Sequence, residues 1–258
     1  MKAIVLGDPM SRATRTLALL AALALAPAGV QGQAASDAES KFNVGLTHLR
    51  ENRPTMAVEQ FKQAIKQEPK NPYFHKGLGV AYLQLQKYDD AVVALRKSLE
   101  LNPYYVDVRN DLGTALLLAG RRAEGKAELL RAFNEATNPT PDLTARNLGQ
   151  AYFEDRDYEQ AANWFRSSLG RNKGLADAYL GLADCLLALN RNEEAILTLE
   201  GGLKELPDNV GILLALGNAY FRAGRFTEAR AKLEEVGRRD PRGSAGKSAG
   251  ELLKNFPK

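Results

Sequence analysis

The sequence predicts an all-α solenoid of six helix–turn–helix repeats, followed by one closing helix. Three observations support this prediction. A set of small and apolar residues recurs, almost always every 34 residues, between about residue 38 and residue 243. Within each period, apolar residues follow helical spacing on one face of two successive segments. Aromatic residues make up only 7% of the 258 residues, which suits stacked hairpins better than one thick core.

The stretch 72–105 shows the repeat most clearly. A first predicted helix carries Gly79 and Tyr82, and a second carries Ala91 and Leu95 on one face. Two amphipathic helices in so short a unit predict a hairpin. The small residues stand where helices must approach closely, and a larger side chain there would overpack the contact by ~1–3 kcal/mol.

The same pattern divides most of the chain into repeats. The predicted repeats cover about residues 38–71, 72–105, 106–139, 142–175, 176–209 and 210–243. The small residue of the first helix is, in order, Gly45, Gly79, Gly113, Gly149, Ala183 and Gly217. The apolar residue of the second helix is Phe61, Leu95, Leu129, Phe165, Leu199 and Leu233. The step from the third repeat to the fourth is 142 − 106 = 36 residues, so we expect the stack to bend or open there.

The N-terminus predicts a signal peptide covering residues 1–34. Arg12 and Arg15 precede the apolar run 17–26, and small residues suitable for cleavage follow it. The run has about ten residues, fewer than the ~20 that a membrane-spanning helix needs. We therefore expect export to a periplasmic or secreted location, without stable membrane insertion after cleavage.

Alternatives remain for this leader. Met10 is a second candidate start, which would give a leader of conventional length. Residues 10–36 contain no acid, as in an organellar transit peptide. An uncleaved leader would act as a signal anchor and tether the protein to a membrane.

The charge balance argues against nucleic-acid binding. The net charge of the chain is +4, and the first 34 residues contribute +2 of it, which leaves 4 − 2 = +2 for the rest. Basic and acidic residues are interspersed, as on a solvated surface. We expect protein or peptide partners and no nucleic acid.

Residues that could perform chemistry are few. His48 and His75 are the only histidines, and Cys185 is the only cysteine. Residues equivalent to Cys185 in the other repeats are Ala or Thr, so we expect an inert buried thiol. The sequence contains no zinc-ligand spacing, phosphate-binding glycine loop or nucleophile elbow. We therefore expect no enzymatic activity, no metal and no cofactor.

The repeat resembles the tetratricopeptide repeat (TPR) family. The resemblance rests on the spacing of Leu78-Gly79, Tyr82, Ala91, Leu95, Ser98 and Pro103, which fits a 34-residue helix–turn–helix repeat. It implies a right-handed superhelix whose first helices line a concave groove that binds peptides or helices. It also implies that residues 244–258 form the solvating cap helix found in many members, so the domain would cover residues 35–258.

Transferring the groove positions of the family to this chain predicts partner contacts. They are Lys76, Leu83, Asn110, Thr114, Leu117, Arg146, Gln150, Phe153, Asp184 and Asn218. The clamp that some members use for acidic peptides is incomplete, because Val80 and Asp111 stand where it requires Asn.

The resemblance thus implies a non-catalytic interaction scaffold in an exported compartment. The alternative is an accessory subunit or assembly factor of an envelope enzyme complex. Self-association into a homo-oligomer through the ends of the stack remains open.

Overall fold

The computed structural model describes residues 36–256, which form thirteen α-helices and contain no β-strand. The predicted signal peptide, residues 1–34, lies outside the described residues. The chain divides into two compact units, of which the first ends at Thr137 and the second begins at Asn138. The prediction of an all-α protein is confirmed for this part of the chain.

The first unit contains three helical hairpins. Its helices are α1 (Asp37–Arg50), α2 (Pro54–Gln67), α3 (Pro72–Gln84), α4 (Tyr88–Leu101), α5 (Val106–Leu118) and α6 (Arg122–Asn134). Each first helix packs against its own second helix, and α2 and α4 also pack against the next hairpin. Contacts of α3 with α1 and with α5 place the first helices of neighbouring hairpins side by side.

The second unit contains three further hairpins and a final helix. Its helices are α7 (Pro141–Glu154), α8 (Tyr158–Arg171), α9 (Ala176–Ala188), α10 (Asn192–Glu205), α11 (Val210–Arg222), α12 (Phe226–Arg239) and α13 (Ser244–Lys254). As in the first unit, neighbouring first helices contact each other, here α7 with α9 and α9 with α11. The closing helix α13 packs on α12 and also contacts α11.

The turn within each hairpin is short. In the second hairpin α3 ends at Gln84 and α4 begins at Tyr88, so Tyr88, Asp89 and Asp90 form the first turn of α4. The two carboxylates therefore lie at the positive end of the helix dipole, where negative charge is favourable.

Each of these turns passes through one residue with a positive φ. After α3 this residue is Gln86, with φ 58°; its N–H donates to the Leu83 carbonyl, and the Lys87 N–H donates to the Tyr82 carbonyl. This bond pattern is the Schellman motif. The equivalent positions in the six hairpins are Asn52, Gln86, Gly120, Arg156, Asn190 and Gly224. Since only two of the six are glycine, glycine alone could not have located the turns.

The two helices of a hairpin meet where a small residue lies beneath a large apolar one. A Cβ added to Gly79 would lie 2.5 Å from Leu95 Cγ, and one added to Gly45 would lie 2.6 Å from Phe61 Cε1. Neither contact fits without movement of the neighbouring atoms. The same pairing recurs with Gly113 and Leu129, Gly149 and Phe165, and Gly217 and Leu233.

The same large side chain also contacts the following hairpin. A Cβ on Gly77 would lie 2.9 Å from Phe61 Cε1, and a Cβ on Gly181 would lie 2.4 Å from Phe165 Cζ. In the fifth repeat Leu199 replaces Phe, and the residue equivalent to these glycines in the next hairpin is Ala215. The size of one side chain therefore limits the residue that the next hairpin can carry.

Two buried serines tie second helices to the start of their own first helix. Ser98 Oγ donates to the Pro72 carbonyl at 2.8 Å, and Ser168 Oγ donates to the Asp142 carbonyl at 2.9 Å. Both side chains are fully buried, so these bonds satisfy polar groups that would otherwise be costly to bury.

The closing helix is attached by a carboxylate and by aromatic contacts. Asp240 accepts hydrogen bonds from the backbone N–H groups of Ala245 and Gly246 at the start of α13. The Phe256 ring lies 5.0 Å from the Phe221 ring, measured between centroids. None of the thirteen helices in residues 36–256 has the length and apolar composition needed to cross a membrane.

The close approach of the helices predicts opposite effects for one substitution at two glycines. Gly79→Ala should lower the free energy of unfolding by ~1–3 kcal/mol, because the new Cβ would collide with Leu95. Gly201 lies inside α10 with no atom within 4 Å of an added Cβ. Gly201→Ala should raise the free energy of unfolding by ~0.5–1 kcal/mol, because Ala favours helix. Urea unfolding followed by circular dichroism measures both, and a shift of the same sign in both would contradict this packing.

Candidate functional site

The predicted contact residues of the first unit lie on α3 and α5. Lys76, on α3, reaches the next hairpin: its Nζ lies 3.7 Å from Asp107 Oδ2 and 5.0 Å from the centre of the Tyr105 ring. Only 15% of the Lys76 side chain is exposed. Lys76, which the sequence predicts as a partner contact, therefore joins neighbouring hairpins in the structure.

The other predicted residues of this unit differ in exposure. Leu83 is 3% exposed and packs with Ala91 and Leu95 in the core, so its prediction as a partner contact is corrected to a packing role. Leu117 is half-buried and lies against α6, where a Cβ on Gly125 would come within 2.8 Å of it. Asn110 and Thr114 are half-buried, and the Thr114 hydroxyl donates to the Asn110 carbonyl at 3.1 Å.

A buried acid lies close to this lysine. Asp111 is 4% exposed, and its Oδ2 atom has no hydrogen-bond partner among residues 36–256. Burial raises the pKa of Asp111 to about 6; nearby Lys76 opposes the shift and Asp107 adds to it. The sequence offered one signal for this group, namely a charge at a position where neighbouring repeats carry Gly77 or Asn147.

The second unit repeats the inter-hairpin ion pair in the same register. Arg146, on α7, donates from Nη1 to Asp177 Oδ2 on α9 at 3.1 Å and from Nη2 to Asn147 Oδ1 at 2.9 Å. Its side chain is 16% exposed. Arg146 and Asp177 are 31 residues apart, as are Lys76 and Asp107. Arg146 therefore joins neighbouring hairpins, as Lys76 does.

Three other predicted residues of this unit occupy one equivalent position on neighbouring helices. They are Gln150 on α7, Asp184 on α9 and Asn218 on α11, all half-buried. Gln150 donates from Nε2 to Glu154 Oε1 at 3.0 Å. Burial raises the pKa of Asp184 to about 6, and the charge of Arg222 opposes the shift. We call these three residues the polar row.

The last predicted residue, Phe153, lies beside this row. Its half-buried ring is 5.3 Å from the Tyr158 ring of α8 in an edge-on arrangement. The contact lies within one hairpin, so Phe153 contributes to packing and also leaves part of its ring accessible.

The cysteine and histidine that could in principle act in catalysis have structural surroundings. Cys185 is fully buried, and burial raises the pKa of its thiol to about 12, so the thiolate does not form near neutral pH. His75 Nε2 lies 2.8 Å from the Pro69 carbonyl. Within residues 36–256, no three His, Cys, Asp or Glu side chains are grouped closely enough to hold a metal ion.

The chain is similar to known helical-repeat proteins. The pattern of the tetratricopeptide repeat matches residues 42–106, 85–145, 152–208 and 196–251. The chain is 24% identical over 226 residues to Protein CTR9 homolog of Arabidopsis thaliana. The aligned region covers 83% of this chain and 20% of that protein. It spans between 20% and 27% of the length of the first three curated relatives.

Two solved structures are similar over most of this chain. PilW, a type IV pilus biogenesis factor, superimposes with a TM-score of 0.74 and 19% identity, covering 85% of this chain and 100% of PilW. PilF of Pseudomonas aeruginosa gives a TM-score of 0.69 and 20% identity, covering 85% of this chain and 98% of PilF. These similarities establish the fold as that of TPR solenoids.

Proposed function

The chain belongs to the tetratricopeptide repeat family, and from this premise we propose that it is a non-catalytic scaffold that binds protein or peptide partners along its first helices. The observation that carries this proposal is the polar row, because it places half-buried polar side chains at one position on successive first helices that pack side by side. A surface with apolar area and a few orienting polar groups is the usual form of a peptide-binding site.

The proposed contacts are a revised form of the sequence prediction. Leu83 is left out because it belongs to the core, and Lys76 and Arg146 position neighbouring hairpins through their acidic partners. The remaining proposed contacts are Asn110, Thr114 and Leu117 in the first unit and Gln150, Phe153, Asp184 and Asn218 in the second.

The second candidate function is an accessory subunit or assembly factor of an envelope complex. It is favoured by the similarity of this chain to PilW and PilF over nearly their whole length. PilW is described as a pilus biogenesis factor. Both candidates share a binding role and differ in whether the partner is one fixed complex.

The scaffold works in an exported compartment. Support comes from the order of charged, apolar and small residues in positions 1–34, which is that of a signal peptide. The alternative is a protein tethered to the membrane by the uncleaved leader.

Loss of polar-row side chains should weaken partner capture without unfolding the protein. The full chain, its Gln150→Ala/Asn218→Ala variant and an Arg166→Ala control are immobilised and exposed to an envelope fraction, with bound proteins identified by mass spectrometry. Arg166 is exposed on α8, a second helix. All three should unfold at similar temperatures, since Arg166 is exposed and the Gln150 and Asn218 side chains, though half-buried, lie outside the apolar core.

The double variant should lose proteins that wild type and control retain. If Arg166→Ala loses them and the double variant does not, the partner binds the second helices and the proposed contacts are wrong.

Export predicts a shortened N-terminus. Expressed in a secreting bacterial host, the mature protein should begin near Gly29 or Ala35, as determined by N-terminal sequencing of the periplasmic fraction. An intact Met1 or Met10 on a cytoplasmic product would contradict export, whereas an intact terminus in the membrane fraction would support the signal anchor.

A further inference from the structure

The polar row has hydrogen-bonding capacity that the described part of the protein does not use. Among residues 36–256, the Asp184 carboxylate accepts no hydrogen bond and the Asn218 side chain makes none, while Gln150 uses only its Nε2 atom. None of these unused atoms is fully buried, so each is open to water and equally open to the donors and acceptors of a bound partner.

The surroundings of Asp184 favour a cation with an apolar stem. The nearest opposing charge is Arg222, but its Nη2 donates to the Leu187 carbonyl at 3.0 Å and not to the carboxylate. Leu180 and Leu214 are half-buried at an equivalent position of α9 and α11. Lys and Arg side chains lay their methylene groups on such apolar surface and place their charged ends against a carboxylate.

The charged groups on the helices packed against α9 leave the Asp184 carboxylate without a bonded partner. Of the charged side chains on α7, α8, α10 and α11, Arg222 is the one that acts on Asp184. On α7, Arg146 is bonded to Asp177 of α9, and Glu154 accepts a bond from Gln150. On α11 the charged group is Arg222, as described above. When Asp184 is ionised, its charge is opposed by Arg222, but its oxygens accept no hydrogen bond from the described residues.

The spacing of the row fits an extended chain. Gln150, Asp184 and Asn218 are successively 34 residues apart, on helices that pack side by side. Packed helices lie ~8–10 Å apart, and an extended chain advances ~3.3 Å per residue. About three residues of an extended peptide therefore correspond to one step of the row.

We propose that the polar row binds an extended peptide segment of a partner that presents a Lys or Arg side chain to Asp184, with the residues about three positions before and after it facing Gln150 and Asn218. This inference rests on the proposed scaffold function and specifies the chemistry of the partner. The half-buried carboxylate selects for the basic side chain, and the two amides orient the flanking backbone.

Selection from a peptide library tests this proposal directly. A phage library of random nine-residue peptides is panned against the full chain at pH 7.5, and the selected peptides are synthesised with a fluorescent label. Their affinity is measured by anisotropy for wild type, Asp184→Asn and Asp208→Asn. Asp208 is a fully exposed acid of the same unit, outside the row, and serves as the matched control.

The selected peptides should carry a Lys or Arg near their centre. Asp184→Asn should weaken their binding at least tenfold, and Asp208→Asn should leave it within twofold. Because Asp184 must be ionised to bind a cation, wild-type affinity should fall about tenfold from pH 7.5 to pH 5, following the ionised fraction of a group with a pKa of about 6. Asp184→Asn should remove this pH dependence.

The outcomes separate the inference from the function on which it rests. Peptides without a basic residue that still depend on Gln150 and Asn218 would overturn the inference and leave the scaffold function standing. Basic peptides that bind equally well to wild type and Asp184→Asn would also overturn it. Failure to select any peptide, or peptides insensitive to all first-helix variants, would count against both.

Discussion

In five of the six described hairpins, a glycine of the first helix packs against a large apolar residue of the second, and this contact holds the hairpin together. At Gly79 and Leu95 this contact leaves no room for one methyl group, so the two helices can approach to a distance that larger residues would prevent. In two hairpins the same large side chain, Phe61 or Phe165, also fills the space above a glycine of the next hairpin. One side chain therefore fixes both the hairpin and its stacking. Because each hairpin contacts only its neighbours within a unit, stability is expected to be roughly a sum of repeat and interface terms.

This packing also produces the surface that we propose as the binding site. Stacked hairpins bring equivalent residues of successive first helices side by side, so residues 34 apart in sequence become neighbours in space. Positions that face the contact between helices must be small or apolar, whereas the position of Gln150, Asp184 and Asn218 is free to carry polar groups. The residue at this position differs between the repeats, being Val80, Thr114, Gln150, Asp184 and Asn218 in the second to sixth.

The sequence contained enough information for the fold but less for the surface. The packing requires a small residue at one position and Phe or Leu at another in each repeat. Because residue size can be read from the sequence, this 34-residue pattern predicts the fold. The left-handed turn residues could not be predicted, because Gln86 and Arg156 adopt a positive φ although neither residue type favours one. The roles of Lys76 and Arg146 were also missed, because an ion pair between hairpins depends on where Asp107 and Asp177 are placed by stacking. Helical spacing alone could not assign Leu83 to the core, because the core-facing and groove-facing sides of a short helix adjoin each other.

Truncation measures the modularity on which this account depends. One chain ends at residue 209, between two hairpins, and a second ends at residue 191, which removes α10 from the hairpin it forms with α9. The account predicts that the first chain keeps the per-residue ellipticity of the full chain at 222 nm. The second should have a lower value, because the buried face of α9, which includes Ala183 and Leu186, loses the helix that covers it. The claim that each hairpin folds as a unit would be contradicted if the two truncated chains had equal per-residue ellipticity. It would also be contradicted if the chain that ends at residue 209 lost its helical ellipticity.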